Sequence, residues 1–314
     1  MLIVVALASM ASPSHAADDF SAQLDALWNY DQPADSEARF RAEAARHGAG
    51  SREALEAATQ VARAQGLQRR FVDADATLDA VARLLPALEP APALARVRTR
   101  YLLERGRVRN SAGDPAAAVP RFKEALVVAR DDTLPGADYY RVDALHMLGI
   151  AAPKGGQIAW NLKAAATAQA SSDPRARGWA ASLENNIGWT YFEAGDANEA
   201  LAHWQRALAL REAAGKAGPI RIARWTVARG YRALSRLDDA QRVQLALVAE
   251  TEKAGEPDGY VYEELAEIEA ARGNAKAAAA WAAKAHALLQ PDADFVATEP
   301  ARLARLAALA QEAR

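Results

Sequence analysis

Cysteine is absent from all 314 residues, which excludes disulfides, thiolate chemistry, cysteine-ligated zinc and lipid attachment through an N-terminal cysteine. Stability must then come from packing alone. An excess of one charge is missing too: 38 Lys and Arg stand against 40 Asp and Glu, a formal net charge of -2. Such balance lacks the electrostatic footprint of phosphate-backbone binding, so nucleic acid is not an expected partner. No apolar run reaches the roughly 20 residues a spanning helix needs, and stable membrane insertion is not expected. Chemical motifs are missing as well. There is no Gly-x4-Gly-Lys-Ser/Thr, no Gly-x-Ser-x-Gly and no His-Glu-x-x-His, which leaves no phosphate loop, nucleophile elbow or helical zinc pair to build on. His15, His47, His146, His203 and His286 are far apart in sequence and show no paired helical spacing. The expectation is a chain with no metal, no cofactor and no catalytic centre.

What is present favours helix. Hydrophobic residues make up 51% of the chain and charged residues 25%, enough to fill a core and ordinary for a globular protein. Alanine is abundant, and it loses no side-chain entropy when a helix forms, so an all-α fold is predicted. The first residues, an apolar stretch from Leu2 to Ala11 followed by Ser14 and Ala16, read as a signal peptide over 1–16, cleaved after Ala16. No Lys or Arg precedes the stretch, so only the α-amino group supplies positive charge there. A periplasmic or secreted, bacterial location is expected on this basis.

The chain repeats itself. From Ala181, the run Ala-Ser-Leu-Glu-Asn-Asn-Ile-Gly-Trp-Thr-Tyr-Phe-Glu-Ala-Gly-Asp-Ala-Asn-Glu-Ala-Leu-Ala-His-Trp-Gln-Arg-Ala-Leu puts Ile187, Tyr191 and Ala194 on one face of a first helix. Leu201, Trp204, Ala207 and Leu208 form the facing stripe of a second. Gly195-Asp196 supplies the turn, and Gly188, Ala200 and Ala207 let the backbones approach. The pattern recurs at Val227, Ala228, Tyr231, Ala240 and Leu247, with Leu237-Asp238-Asp239 in place of the turn. It returns at Tyr262, Leu265, Ala266, Gly273-Asn274, Ala278 and Ala285. Upstream lie Leu102, Gly106, Gly113-Asp114, Ala118, Phe122 and Ala125, although Arg105 and Arg109 stand at positions usually apolar. A shorter hairpin carries Leu145, Leu148 and Gly149, then Trp160, Leu162 and Ala166. The first unit carries Val61, Ala62, Ala74, Leu78 and Val81 around a turn at Arg69-Arg70-Phe71. Repeat starts near residues 55, 99, 142, 181, 221 and 259 give a period of about 40.

These residues resemble the tetratricopeptide repeat (TPR) family in its long-repeat form. Glu184, where the family has Trp, and Glu212, where Pro often closes the unit, depart from its pattern. The resemblance implies an α-solenoid of about six TPR-like hairpins over 51–290. A helical cap is expected over 17–50, with Phe20, Leu24, Leu27, Trp28 and Phe40, and a capping helix within 291–314 that starts at Thr298-Glu299-Pro300. It also implies a non-catalytic scaffold whose concave groove takes a protein or extended peptide. On that face it places Arg100, Leu103 and Arg107, then His146 and Ile150, then Asn185, Asn186 and Trp189. Trp225, Arg229 and Arg232 follow, then Tyr260, Glu263 and Glu267. Asn bonds both edges of a peptide group, Arg grips carboxylates and aromatic faces accept apolar side chains. Trp160, Trp204 and Trp281 read as core, and Glu263, Glu264, Glu267 and Glu269 as a solvated acidic face. Two other functions stay open: the helical arm of an envelope enzyme acting on cell-wall glycan, and a cytoplasmic TPR regulator.

Overall fold

The computed structural model describes residues 13–85, 92–130 and 134–312. The apolar stretch that opens the proposed signal lies outside them. Every regular element among the described residues is a helix. The chain divides into two compact units, residues 1–179 and 180–314.

Unit 1 contains α1 (Pro13–Ala26), α2 (Pro33–Ala45), α3 (Arg52–Leu67), α4 (Phe71–Leu84), α5 (Pro92–Ser111), α6 (Pro115–Val128), α7 (Ala137–Ala151), α8 (Gln157–Ala170) and the short α9 (Pro174–Arg177). Helices α3 and α4, α5 and α6, and α7 and α8 form hairpins. Unit 2 contains α10 (Ala180–Glu193), α11 (Ala197–Ala214), α12 (Ala217–Ala233), α13 (Leu237–Ala254), α14 (Gly259–Ala271), α15 (Ala275–Leu289), α16 (Ala293–Thr298) and α17 (Pro300–Leu309). Three more hairpins pair α10 with α11, α12 with α13 and α14 with α15, and α17 packs on α15.

One turn closes most of the hairpins. In five of them a residue with left-handed φ is followed by one whose N–H returns to the carbonyl five residues back. The bonds run from Arg70 to Gln65, Asp114 to Arg109, Asp196 to Tyr191, Arg236 to Tyr231 and Asn274 to Glu269, each 2.9 Å. That is a Schellman closure, which satisfies carbonyls orphaned at a helix end. Gly113, Gly195 and Gly273 fill the left-handed position in three hairpins, whereas Arg69 (φ 60°) and Ser235 (φ 57°) fill it in two. The turn after α12 is therefore Leu234-Ser235-Arg236, and Leu237-Asp238-Asp239 is the first turn of α13. Sequence reading displaced it because no glycine marks the site.

Packing explains the residues that broke the repeat pattern. Arg105 is 8% exposed, yet its guanidinium is held by Asp75, at 2.6 Å, and by Asp79 on the preceding hairpin, and Arg109 pairs with Asp75 at 3.1 Å. Basic residues fit these apolar positions because α4 brings the acids to them. Glu184 accepts from His203 at 2.7 Å and from Arg206 at 2.9 Å, so the position usually held by Trp here ties the hairpin electrostatically. Trp204 is fully buried and donates to the Asn185 carbonyl. A β-carbon at Gly188 would overlap its ring, which is why a glycine is needed at that crossing.

Two expectations are corrected. In α8 the buried positions are Asn161, Ala164 and Ala168, while Leu162 is exposed. The close approach runs through Asn161, which fills the space a side chain at Gly149 would need. The carboxylates of α14 are not a solvated face either: Glu263, Glu264 and Glu269 are buried, and Glu267 is half-buried. Neighbouring helices supply partners for all four, a fact invisible within α14 itself.

Candidate functional site

The residues expected on the groove fall into the two units, and their chemistry differs between them.

In unit 1, the first helices α3, α5 and α7 carry a dense ionic network. Arg100 is 4% exposed. Its Nε donates to the Tyr140 hydroxyl at 3.1 Å and lies 3.1 Å from Glu56 Oε1; its Nη2 donates to Ser21 Oγ at 2.8 Å and to Asp25 at 3.2 Å. Arg107 pairs with Glu104 at 2.6 Å and with Asp143. Burial pushes the Asp143 carboxyl up, but Arg107 and Arg63 outweigh it and hold it below the ordinary range. Burial drives the His146 imidazole down, and its ring lies 5.1 Å from that of Trp179. Arg63 stands over the stacked rings of Trp28 and Tyr30, 5.5 and 5.7 Å from their centroids.

The N-terminal segment makes this surface. Phe20 and Leu24 are buried against Phe40, Ala57 and Val61. Ser21 and Asp25 reach across to Arg100, and Trp28 Nε1 donates to Gln60 at 3.2 Å. Helix α1 thus reaches α5 and α7 as well as the first hairpin. Arg100 and Arg107 already hold partners from their own chain.

In unit 2, ring contacts and ion pairs link Trp189 of α10, Trp225, Arg229 and Arg232 of α12 and Glu263 and Glu267 of α14 into one row with α17, and Asn185 and Asn186 lie on α10. Aromatic rings run through it: Trp189 to Trp225 at 6.3 Å, Trp225 to Tyr260 at 6.4 Å and Tyr260 to Phe295 at 5.7 Å between centroids. Trp225 Nε1 donates to the Tyr260 carbonyl at 3.0 Å, which fixes the indole plane. Guanidinium groups lie on these rings. Arg229 sits 5.7, 5.7 and 5.5 Å from the centroids of Trp189, Phe192 and Trp225, and Arg302 covers Tyr260 and Phe295. Each is a cation–π contact.

Most of the cations are also matched by carboxylates. Arg232 grips both oxygens of Glu264, Arg302 both of Glu263 and Arg305 both of Glu267. Arg229 is the exception among these four. Its nearest carboxylate contact is Nη1 to Glu264 at 3.9 Å, and its buried Nε has no hydrogen-bond partner. Burial pulls its pKa down, against the pull of Glu264. Asn185 Oδ1 is likewise buried without a partner. Beside this row a cleft of about 390 Å³ opens between Gly218, Ile222, Trp225, Thr251, Tyr260 and Val261.

Sequence reasoning missed Arg302, Arg305, Phe295 and Ile222. The spacing of Arg302 and Arg305 in a proline-started helix, against Glu263 and Glu267 in α14, was a usable signal for the first two. Ile222 lies in the arginine-rich run Arg221 to Arg224, and an exposed isoleucine there has no periodic reason to stand out. Among the described residues no group of three or more acids or histidines is placed to hold a metal ion.

No protein-family model matches the chain, and no curated protein matches it. Solved structures do. The apo form of RapI superposes with a TM-score of 0.68 at 9% identity, over 89% of this chain and 77% of that one. The apo quorum sensor NprR from B. thuringiensis gives 0.60 at 16%, over 93% and 81%; NprR solved with its cognate peptide NprX gives 0.53 at 16%, over 94% and 84%. A Podosopora anserina putative kinesin light chain with TPR-like repeats gives 0.50 at 16%, over 64% and 96%. At these identities the likeness establishes the fold, an all-α, TPR-like solenoid.

Proposed function

We propose that the protein is a non-catalytic scaffold that holds a protein segment or extended peptide along the first-helix row of unit 2. The observation that carries the reading is Arg229: a guanidinium set among three aromatic rings, with no close carboxylate from its own chain. Trp189, Trp225 and Tyr260 offer flat apolar contact beside it. This set suits extended chain, which presents amide edges and side chains in alternation. The match to NprR bound to its peptide NprX supports a peptide-sized ligand.

The location that goes with this reading is the bacterial envelope. The apolar stretch of residues 2–11 and the small residues Ser14 and Ala16 support it. Removal after Ala16 would leave Phe20, Ser21, Leu24 and Asp25, which make the described contacts of α1. N-terminal sequencing of protein from the native host is expected to begin at Ala17; a retained Met1 would overturn the location.

The binding reading is tested by amide hydrogen exchange on the full chain with a partner captured from envelope extract and purified. Protection is expected in α10, α12 and α14. Protection confined to α11, α13 and α15 would place binding on the other helices and overturn it.

A further inference from the structure

Resting on the scaffold reading, we propose that unit 2 recognises a two-point motif in extended chain: a carboxylate at Arg229 and an apolar side chain about three residues away in the cleft beside Ile222 and Trp225. Ile222, Trp225 and Arg229 are spaced three and four apart on α12, so they share one face of the helix. Ile222 is 59% exposed and stands at the mouth of a cleft with an aromatic lining. The cleft at its side is lined by Trp225, Tyr260, Val261, Gly218 and Thr251, with Arg221 and Asp258 as its charged members. Its volume of about 390 Å³ admits a leucine or phenylalanine side chain.

Charge identifies the other point. Arg232, Arg302 and Arg305 on the same row each hold both oxygens of one carboxylate. Glu264 is consumed by Arg232, so Arg229 is left with a contact of 3.9 Å and an unpartnered Nε. A partly buried guanidinium whose compensation is chiefly aromatic gains from an incoming anion at its exposed edge, where the pair is screened less than in bulk water. A monoanionic carboxylate fits better than a phosphate dianion, since Glu264 already places negative charge nearby. Seven residues of helix separate Ile222 from Arg229, a rise of about 10 Å. Extended chain covers that distance in about three residues. The spacing of the motif follows from those two lengths.

The test uses the full chain and a synthetic library of random heptapeptides, prepared once with free and once with amidated C-termini. Captured peptides are sequenced by mass spectrometry for the wild type, Arg229→Leu and Ile222→Glu, with circular dichroism and melting confirming that each variant is folded. The wild type is expected to enrich Asp or Glu about three positions from Leu, Ile or Phe by about tenfold, the effect of one charge-assisted pair. Arg229→Leu should lose the acidic preference and keep the apolar one; Ile222→Glu should do the reverse. Asp or Glu enrichment in the amidated set assigns the carboxylate to a side chain, and capture from the free set alone, with Leu, Ile or Phe about three positions before the end, assigns it to a C-terminus. Peptides captured with no acidic preference and no dependence on a free C-terminus, or with an acidic preference that survives Arg229→Leu, overturn the motif and leave the scaffold reading standing. Failure to capture any peptide overturns the motif as well, and the exchange experiment then decides the scaffold reading separately.

Discussion

The first-helix rows of the two units use arginine in opposite ways. In unit 1, Arg100 and Arg107 are inside the protein, and Glu56, Asp25, Glu104 and Asp143 answer them from neighbouring helices and from the N-terminal segment. In unit 2, α14 brings one buried carboxylate, Glu264, towards both Arg229 and Arg232, and Arg232 takes it. The frame is the same: helical hairpins, mostly closed by one kind of turn. What differs is whether the chain supplies as many acids as it buries cations. A surplus of one guanidinium among Trp189, Phe192 and Trp225 turns a packing surface into a place with unspent electrostatic attraction.

Matched leucine substitutions break this comparison most directly. Arg100→Leu removes the cation from Glu56 and Asp25 and leaves buried negative charge uncompensated, at an expected cost of about 3–5 kcal/mol. Arg229→Leu strands no carboxylate, since Glu264 keeps Arg232, and should cost less than about 1 kcal/mol, the scale of the cation–π contacts it loses. Denaturant unfolding of the two variants reads the difference; equal losses would show that Arg229 is as structural as Arg100. The same logic makes Arg232 unsuitable for charge reversal, because a glutamate there would face Glu264.

Acid separates the units next. Burial keeps His146 neutral in the fold, whereas the unfolded chain takes up a proton near the ordinary imidazole value of about 6.5. The unfolded state then binds more protons, so stability is present above that value and falls as pH drops through it. Asp143 in unit 1 and Glu184 in unit 2 have carboxyls held low. Their contribution is present above the ordinary carboxylate range and is lost as pH falls through the range below it. Protection of the α7 amides, taken relative to their intrinsic exchange rate at each pH, should therefore fall as pH drops below about 6.5, and His146→Phe should remove that change. An unaltered profile in the variant would shift the cause to another group.

The smallest effect is local. Ser235 holds a left-handed φ of 57° where other hairpins have glycine. Ser235→Gly should raise unit 2 stability by about 1 kcal/mol through relief of that conformation, measured as a rise in melting temperature. A fall would mean that the entropy cost of glycine outweighs the strain.

How legible all this was depends on the range of the interaction. The turns at Gly113, Gly195 and Gly273 could be read because glycine announces a left-handed position, and the one at Arg69 was placed from the helices flanking it, while Ser235 hides the same turn. Trp204 as core and Gly188 as a point of close approach followed from spacing along two adjacent helices, and the structure shows that the Trp204 ring fills that approach. By contrast, the burial of Glu263, Glu264 and Glu269 could not be read from α14, since Arg302, Arg232 and Gln241 approach from other hairpins. For the same reason Arg100 and Arg229 looked alike as basic residues on first helices.

By itself, then, the sequence determined the helices, their pairing into hairpins and the TPR-like character of the stack, because those depend on contacts between residues fewer than about 40 positions apart and on a pattern that repeats. Tertiary structure alone decided that Arg100, Arg107, Arg232, Arg302 and Arg305 hold close carboxylates and that Arg229 does not. That depends on carboxylates delivered from other helices at distances of a few ångströms, where one missing partner reverses the energetic sense of a buried charge.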